Sequence, residues 1–143
     1  TLHHILNKTE TIISLIKMPL SIDTSKTGLE MFFKPYQVEA LHVLQNRGEE
    51  GANSRIVWNT VNKTLPSPIS RASIINSLNM MVDEEILSFT ERTGKGGHHR
   101  VYRLEMTKSE LKEYLARIVI DKLLIEYPEE SKRVTSNLQS TTG

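Results

Sequence analysis

The chain has 143 residues, 38% hydrophobic and 24% charged, with 18 Lys and Arg against 17 Asp and Glu. That length and apolar content give one folded core with an appended arm, and exclude a TIM barrel, a two-lobed kinase and a disordered chain. The absence of cysteine removes disulfides, thiolate zinc sites and cysteine nucleophiles.

No apolar run reaches the ~18 residues of a membrane span, and nothing resembles a signal peptide, so no membrane partner and a cytoplasmic setting are expected. A net charge near zero names no partner. Local charge must do so.

Residues 1–18 place Leu2, Ile5, Thr9, Ile12 and Ile16 at three- and four-residue intervals, the spacing of an amphipathic helix, and Pro19 stops it. Residues 19–34 lack a period and read as a linker, with room for a short strand at Leu29–Phe33. Pro35 suits a first helical position, and Val38, Leu41 and Leu44/Gln45 make a stripe that ends before Gly48. Asn53 or Ser54 caps a second helix carrying Val57, Val61 and Leu65, broken by Pro66-Ser67-Pro68. Ser70 caps a third, which buries Ile74, Leu78, Met81 and Val82.

After Glu85 the period changes from helical to two. Leu87 and Phe89, then Tyr102 and Leu104, flank Gly94-Lys95-Gly96-Gly97, the pattern of a hairpin around a glycine-rich turn. A long helix over roughly 107–126, capped by Thr107 or Ser109, stops before Pro128. The Ser/Thr-rich tail to Gly143 is expected to be disordered. Helix, helix, Pro-containing turn, helix and two-stranded wing is the order of a winged helix-turn-helix. The expected fold is thus mainly α with a small β-hairpin. An arm and linker (1–34), a winged-helix domain (35–105), a C-terminal dimerisation helix (106–127) and the tail (128–143) follow in order.

The stretch SRASIINSLNMMVDEEILSFTERTGKGGHHRVYRL resembles the recognition-helix and wing segment of winged-helix transcriptional repressors of the penicillinase-repressor type. Regulators of the multiple-antibiotic-resistance (MarR-like) type are cousins. TKSELKEYL and the apolar helix after it also resemble that type, in which a C-terminal helical segment pairs two subunits. The resemblance covers roughly residues 35–126 and implies a dimeric DNA-binding regulator. The chain departs from it in carrying Glu85 where such repressors have a glycine closing the recognition helix. The arm 1–34 has no counterpart.

Charge by segment points the same way. Residues 53–82 hold Arg55, Lys63 and Arg71 and no acidic residue, where the chain mean of 17 in 143 would place three or four. A surface that approaches a polyanion excludes carboxylates, because each repels the phosphates. Asn59, Asn62, Ser67, Ser73, Asn76, Ser77 and Asn79 are the polar residues expected outside. On the third helix Arg71 suits a bidentate pair with guanine, Asn76 one with adenine, and Ala72 a thymine methyl, with Ser73 and Asn79 on the same side. An ordinary solvated helix face has the same composition.

In the hairpin, Arg92, Lys95, His98, His99 and Arg100 surround three glycines. The tip is expected to lie along the backbone or minor groove, although a turn needing positive φ explains some of the glycines by itself. Base reading thus falls to Arg71, Ser73 and Asn76, and phosphate neutralisation to Arg55, Lys63, Lys95 and Arg100.

Other chemistries find less support. Lys95 sits between glycines inside a hairpin, which is not a Walker loop. Adjacent histidines (His3 and His4, His98 and His99) point apart, so no metal or other cofactor is expected. No hydrolase motif is present, and no enzyme is expected. The acidic run Asp83-Glu84-Glu85 reads as a solvent face.

Ten of the seventeen positions 111–127 are large and apolar, too many for a helix covered from one side. Leu115, Ile118, Val119, Leu123 and Tyr127, with Ile5, Ile12 and Ile16 of the arm, are therefore expected at a homodimer interface. Wrapping of that helix by the arm within one chain is the alternative. The function expected is sequence-specific double-stranded DNA binding by a homodimeric transcriptional regulator, a repressor in the simplest reading, whose effector is unspecified. The other class of reading is a winged helix used for protein–protein contact in a transcription or chromatin assembly.

Overall fold

Residues 20–142 are described by the computed structural model, and the expected N-terminal helix over 1–18 lies outside them. The chain divides into two compact units, one running through Thr107 and one from Lys108 onward.

In the first unit, helix α1 (Pro35–Arg47) begins with Pro35 at its first position. The Lys34 N–H donates to Gln37 Oε1 at 2.8 Å, so a side chain from the first turn closes the helix start. Ala40, Leu41 and Leu44 form its buried stripe. Helix α2 (Ser54–Thr64) is capped by Asn53, whose side chain accepts from the Ile56 N–H at 2.9 Å. Helix α3 (Arg71–Asp83) is capped by Ser70, whose Oγ accepts from the Ser73 N–H at 3.1 Å. Both caps satisfy backbone donors that a helix start leaves open. Val57, Val61, Ile74, Leu78 and Met81 are fully buried with Leu41 and Leu44, which puts the core between the three helices.

Helix α3 ends on Glu85, at φ 62°. The Ile86 N–H bonds to Met81 O and the Glu85 N–H to Val82 O, both at 2.9 Å, the double closure of a Schellman motif. Met81 and Ile86, the two positions that such a motif ordinarily brings into apolar contact, are both buried. The left-handed geometry that glycine ordinarily supplies is therefore kept, with glutamate in it. The acidic run is not a uniform solvent face either, because Glu84 is buried.

Strands β1 (Ser88–Gly94) and β2 (Gly97–Arg103) pair antiparallel, with Gly94 opposite Gly97 and Ser88 opposite Arg103. Lys95 and Gly96 form the two-residue turn, with Gly96 at φ 113° and Gly97 at φ 95°. Ala52 adds a third rung to the sheet, its N–H and C=O bonding Tyr102 at 3.0 and 2.9 Å. Gly51 makes that rung possible, since a Cβ there would lie 2.5 Å from the Tyr102 carbonyl. The architecture of this unit is the expected winged helix-turn-helix. The linker differs from expectation. Residues Gly28–Met31 form a 3-10 turn where a short strand was expected, and the chain folds back so that the Asp23 N–H reaches Met31 O at 2.7 Å.

The second unit is a helical pair, α4 (Lys108–Glu126) and α5 (Pro128–Thr142). The expected disordered tail is thus a helix. Pro128 breaks α4 but stands at the first position of α5, where its ring is favourable. Glu129 and Glu130 occupy the first turn, which suits the helix dipole. Lys132 and Arg133 pair with them one turn on, at 3.9 and 3.3 Å. Ser131 Oγ donates to the Leu123 carbonyl at 2.9 Å and ties the start of α5 to α4.

Candidate nucleic-acid interface

The turn between α2 and α3 decides where α3 points, and Ile69 is its fixed point. Asn62 grips Ile69 from both sides, accepting from its N–H at 2.8 Å and donating to its carbonyl at 3.2 Å. Trp58 Nε1 donates to the same carbonyl at 2.8 Å. Ser70, the next residue, caps α3. A half-buried amide bonded on both edges resists rotation, so the start of α3 is held against α2.

On α3, Arg71, Ala72 and Asn76 are exposed and Ser73 is half-buried, while Arg55 and Lys63 are exposed on α2. Three polar residues expected outside are not. Ser77 is buried, its Oγ bonded to Tyr36 Oη and Gln37 Nε2, both at 3.1 Å. Asn62 is committed to Ile69. Asn79 is half-buried beneath the wing, where its Oδ1 accepts from Tyr102 Oη at 2.6 Å and from Arg100 Nη1 at 3.1 Å. Burial pushes the Tyr102 phenol above its ordinary pKa, although Arg100 pulls against that shift, and the hydroxyl stays a donor.

In the wing, residues 91–99 are all exposed, and pairing register sorts their side chains. Arg92 stands opposite His99 on one face, with Arg103 further along it; Thr93 stands opposite His98 and Glu91 opposite Arg100 on the other. Lys95 is at the tip. Arg100 is the least free of the expected phosphate contacts, because its guanidinium also lies 4.0 Å from the centre of the Phe89 ring.

Three cations escaped the sequence reading. Arg103 donates to Thr90 Oγ1 at 2.9 Å and to Glu49 O at 2.7 Å. Lys26 and Lys34 line a cavity of about 590 Å³ whose wall includes Ser73 and Asn76. Only the folded-back linker brings those lysines to α3. Asp23 and Glu30 line the same cavity, so its charge is balanced. Among the described residues no group of three His, Asp or Glu side chains could hold a metal ion, and no helix is long and apolar enough to cross a membrane.

The expected interface residues of the second unit divide. Leu115 is buried within the chain and is not available to a partner; Ile118 and Val119 are half-buried; Leu123 and Tyr127 are exposed. Leu123, Leu124 and Tyr127 join Val134 of α5 in an apolar groove of about 270 Å³. Ile5, Ile12 and Ile16 lie outside the described residues.

No family model and no curated protein matches the chain. Among solved structures, it is similar to the PcaV transcriptional regulator from Streptomyces coelicolor in complex with its natural ligand. The identity is 17% and the TM-score 0.40, over 99% of this chain and 89% of that one. At that level the likeness assigns this chain no activity.

Proposed function

We propose that this chain is a double-stranded DNA-binding transcriptional regulator that works as a homodimer and represses, in the simplest case, by occluding a promoter. The observation that carries this reading is the exposure of Arg71, Ala72 and Asn76 along a capped helix with no carboxylate before Asp83. Arg71 and Asn76 offer the forked donors and amide that read guanine and adenine edges, and Ser73 adds a hydroxyl beside them. Lys95, His98 and His99 at the wing, with Arg55 and Lys63 on α2, meet phosphates.

Self-association is supported by where the large exposed apolar residues fall. Among the described residues, apart from Ile22, they all belong to residues 120–138, among them Ile120, Leu124, Tyr127, Val134 and Leu138. A patch of that kind marks a protein interface. Two-fold pairing matches a palindromic operator with half-sites about one helical turn apart. Binding of the purified chain to mixed genomic duplex fragments across a salt series tests the reading. It predicts affinity that falls steeply with salt; negligible binding at low salt would point to the protein-contact alternative.

A further inference from the structure

The side chain of Asn79 is aimed at the wing rather than outward. Its amide oxygen has two lone pairs, and two donors converge on it, Tyr102 Oη at 2.6 Å and Arg100 Nη1 at 3.1 Å. Both partners being donors fixes which end of the amide is the oxygen. An asparagine that pairs with adenine needs that same oxygen to accept from the base. Asn79 is therefore saturated from within the protein and is not a base reader in this arrangement.

The tie also has a mechanical position. Arg100 is held from two sides, by Asn79 and by the Phe89 ring at 4.0 Å, whereas residues 91–99 are all exposed. Arg100 is thus the last anchored point before the turn at Lys95 and Gly96. At ~3.3 Å per residue the free lever beyond it is ~13 Å. A small rotation at its base displaces Lys95 by more than the reach of a phosphate hydrogen bond.

We infer that Asn79 is a positioning residue that sets the wing against the recognition helix, so that the wing cations reach phosphate while α3 reads bases. This rests on the DNA-binding reading above and assigns Asn79 a task within it. Arg71 and Asn76 provide selectivity, and the Asn79 tie determines how many phosphates the wing engages.

The test compares wild type with Asn79→Ala on mixed genomic duplex fragments across a salt series, with folding checked by circular dichroism. The Asn79→Ala slope of log affinity against log salt should be shallower by about 1–2, since each lost phosphate contact removes about 0.9. Discrimination between a selected site and mixed DNA should stay as in wild type. A purely structural role would lower the melting temperature and leave the slope unchanged. Should Asn79→Ala fail to fold, Tyr102→Phe removes only the 2.6 Å bond and should move the slope in the same direction. An unchanged slope in the folded variant overturns the inference and leaves the DNA-binding reading intact. A wild-type chain that shows no salt-dependent binding overturns that reading, and this one with it.

Discussion

Replacing Glu85 by glycine should stabilise the protein, an unusual direction for a charged residue at a helix end. Glu85 holds φ 62° while its N–H and that of Ile86 close the end of α3. A left-handed conformation costs an L-residue roughly 1–2 kcal/mol. Glycine removes that strain but loses about 0.4–1 kcal/mol through the greater freedom of its unfolded chain. Removing a carboxylate from a helix C-terminus returns a further ~0.3 kcal/mol or more. The net expectation is a gain of about 1 kcal/mol, read as a shift in urea midpoint at constant slope. Glu85→Ala separates the causes, because alanine deletes the charge and keeps the strain; it should gain no more than a few tenths of a kcal/mol. If glycine and alanine shift the midpoint equally, the backbone account of this helix end is wrong.

Three further outcomes follow from the same structure. Burial, with Asp83 and Glu85 adding repulsion, pushes the Glu84 carboxyl up to about 7 from an ordinary 4.5. The folded state therefore holds a proton that the unfolded chain releases, and stability should fall as pH rises from about 4.5 to 7 and level off above. The loss is at most about 3 kcal/mol at 1.36 kcal/mol per pH unit, and Glu84→Gln should flatten it; parallel denaturation curves across that window would contradict the burial. Gly51→Ala should destabilise by more than 2 kcal/mol on the order of large backbone effects, because the new Cβ would stand 2.5 Å from Tyr102 O; thermal melting within a degree of wild type would show that the Ala52 rung gives way without penalty. Leu124→Glu, in the apolar groove, should turn a dimer into a monomer in sedimentation while the winged helix stays folded, and an unchanged mass would place the interface elsewhere.

Local signals carried most of the fold. Caps at Asn53 and Ser70, the prolines between α2 and α3, and the change of period after Glu85 each act within a few residues, and the structure follows them. The orientation of short polar side chains was not readable. Asn62, Ser77 and Asn79 look like solvent-facing residues in a string of letters, and each bonds inward to a partner between 7 and 41 positions away. Helix α5 was missed because its Ser/Thr content outweighed the signals that start it. Those were Pro128 at the first position, two glutamates in the first turn and the cations that pair with them. At the interface, Arg71 and Asn76 were legible because helical periodicity alone sets them off the apolar stripe. Lys26 and Lys34 were not, since only the folded linker carries them toward α3.

Selection of bound duplexes from a randomised pool, followed by Arg71→Ala on the enriched site, reaches the core of the account. Wild type should enrich one motif, and the substitution should weaken that site by about 1–3 kcal/mol while changing affinity for unselected DNA far less. A pool that stays random after repeated rounds, or a variant that binds the enriched motif as tightly as wild type, would mean that α3 does not read DNA.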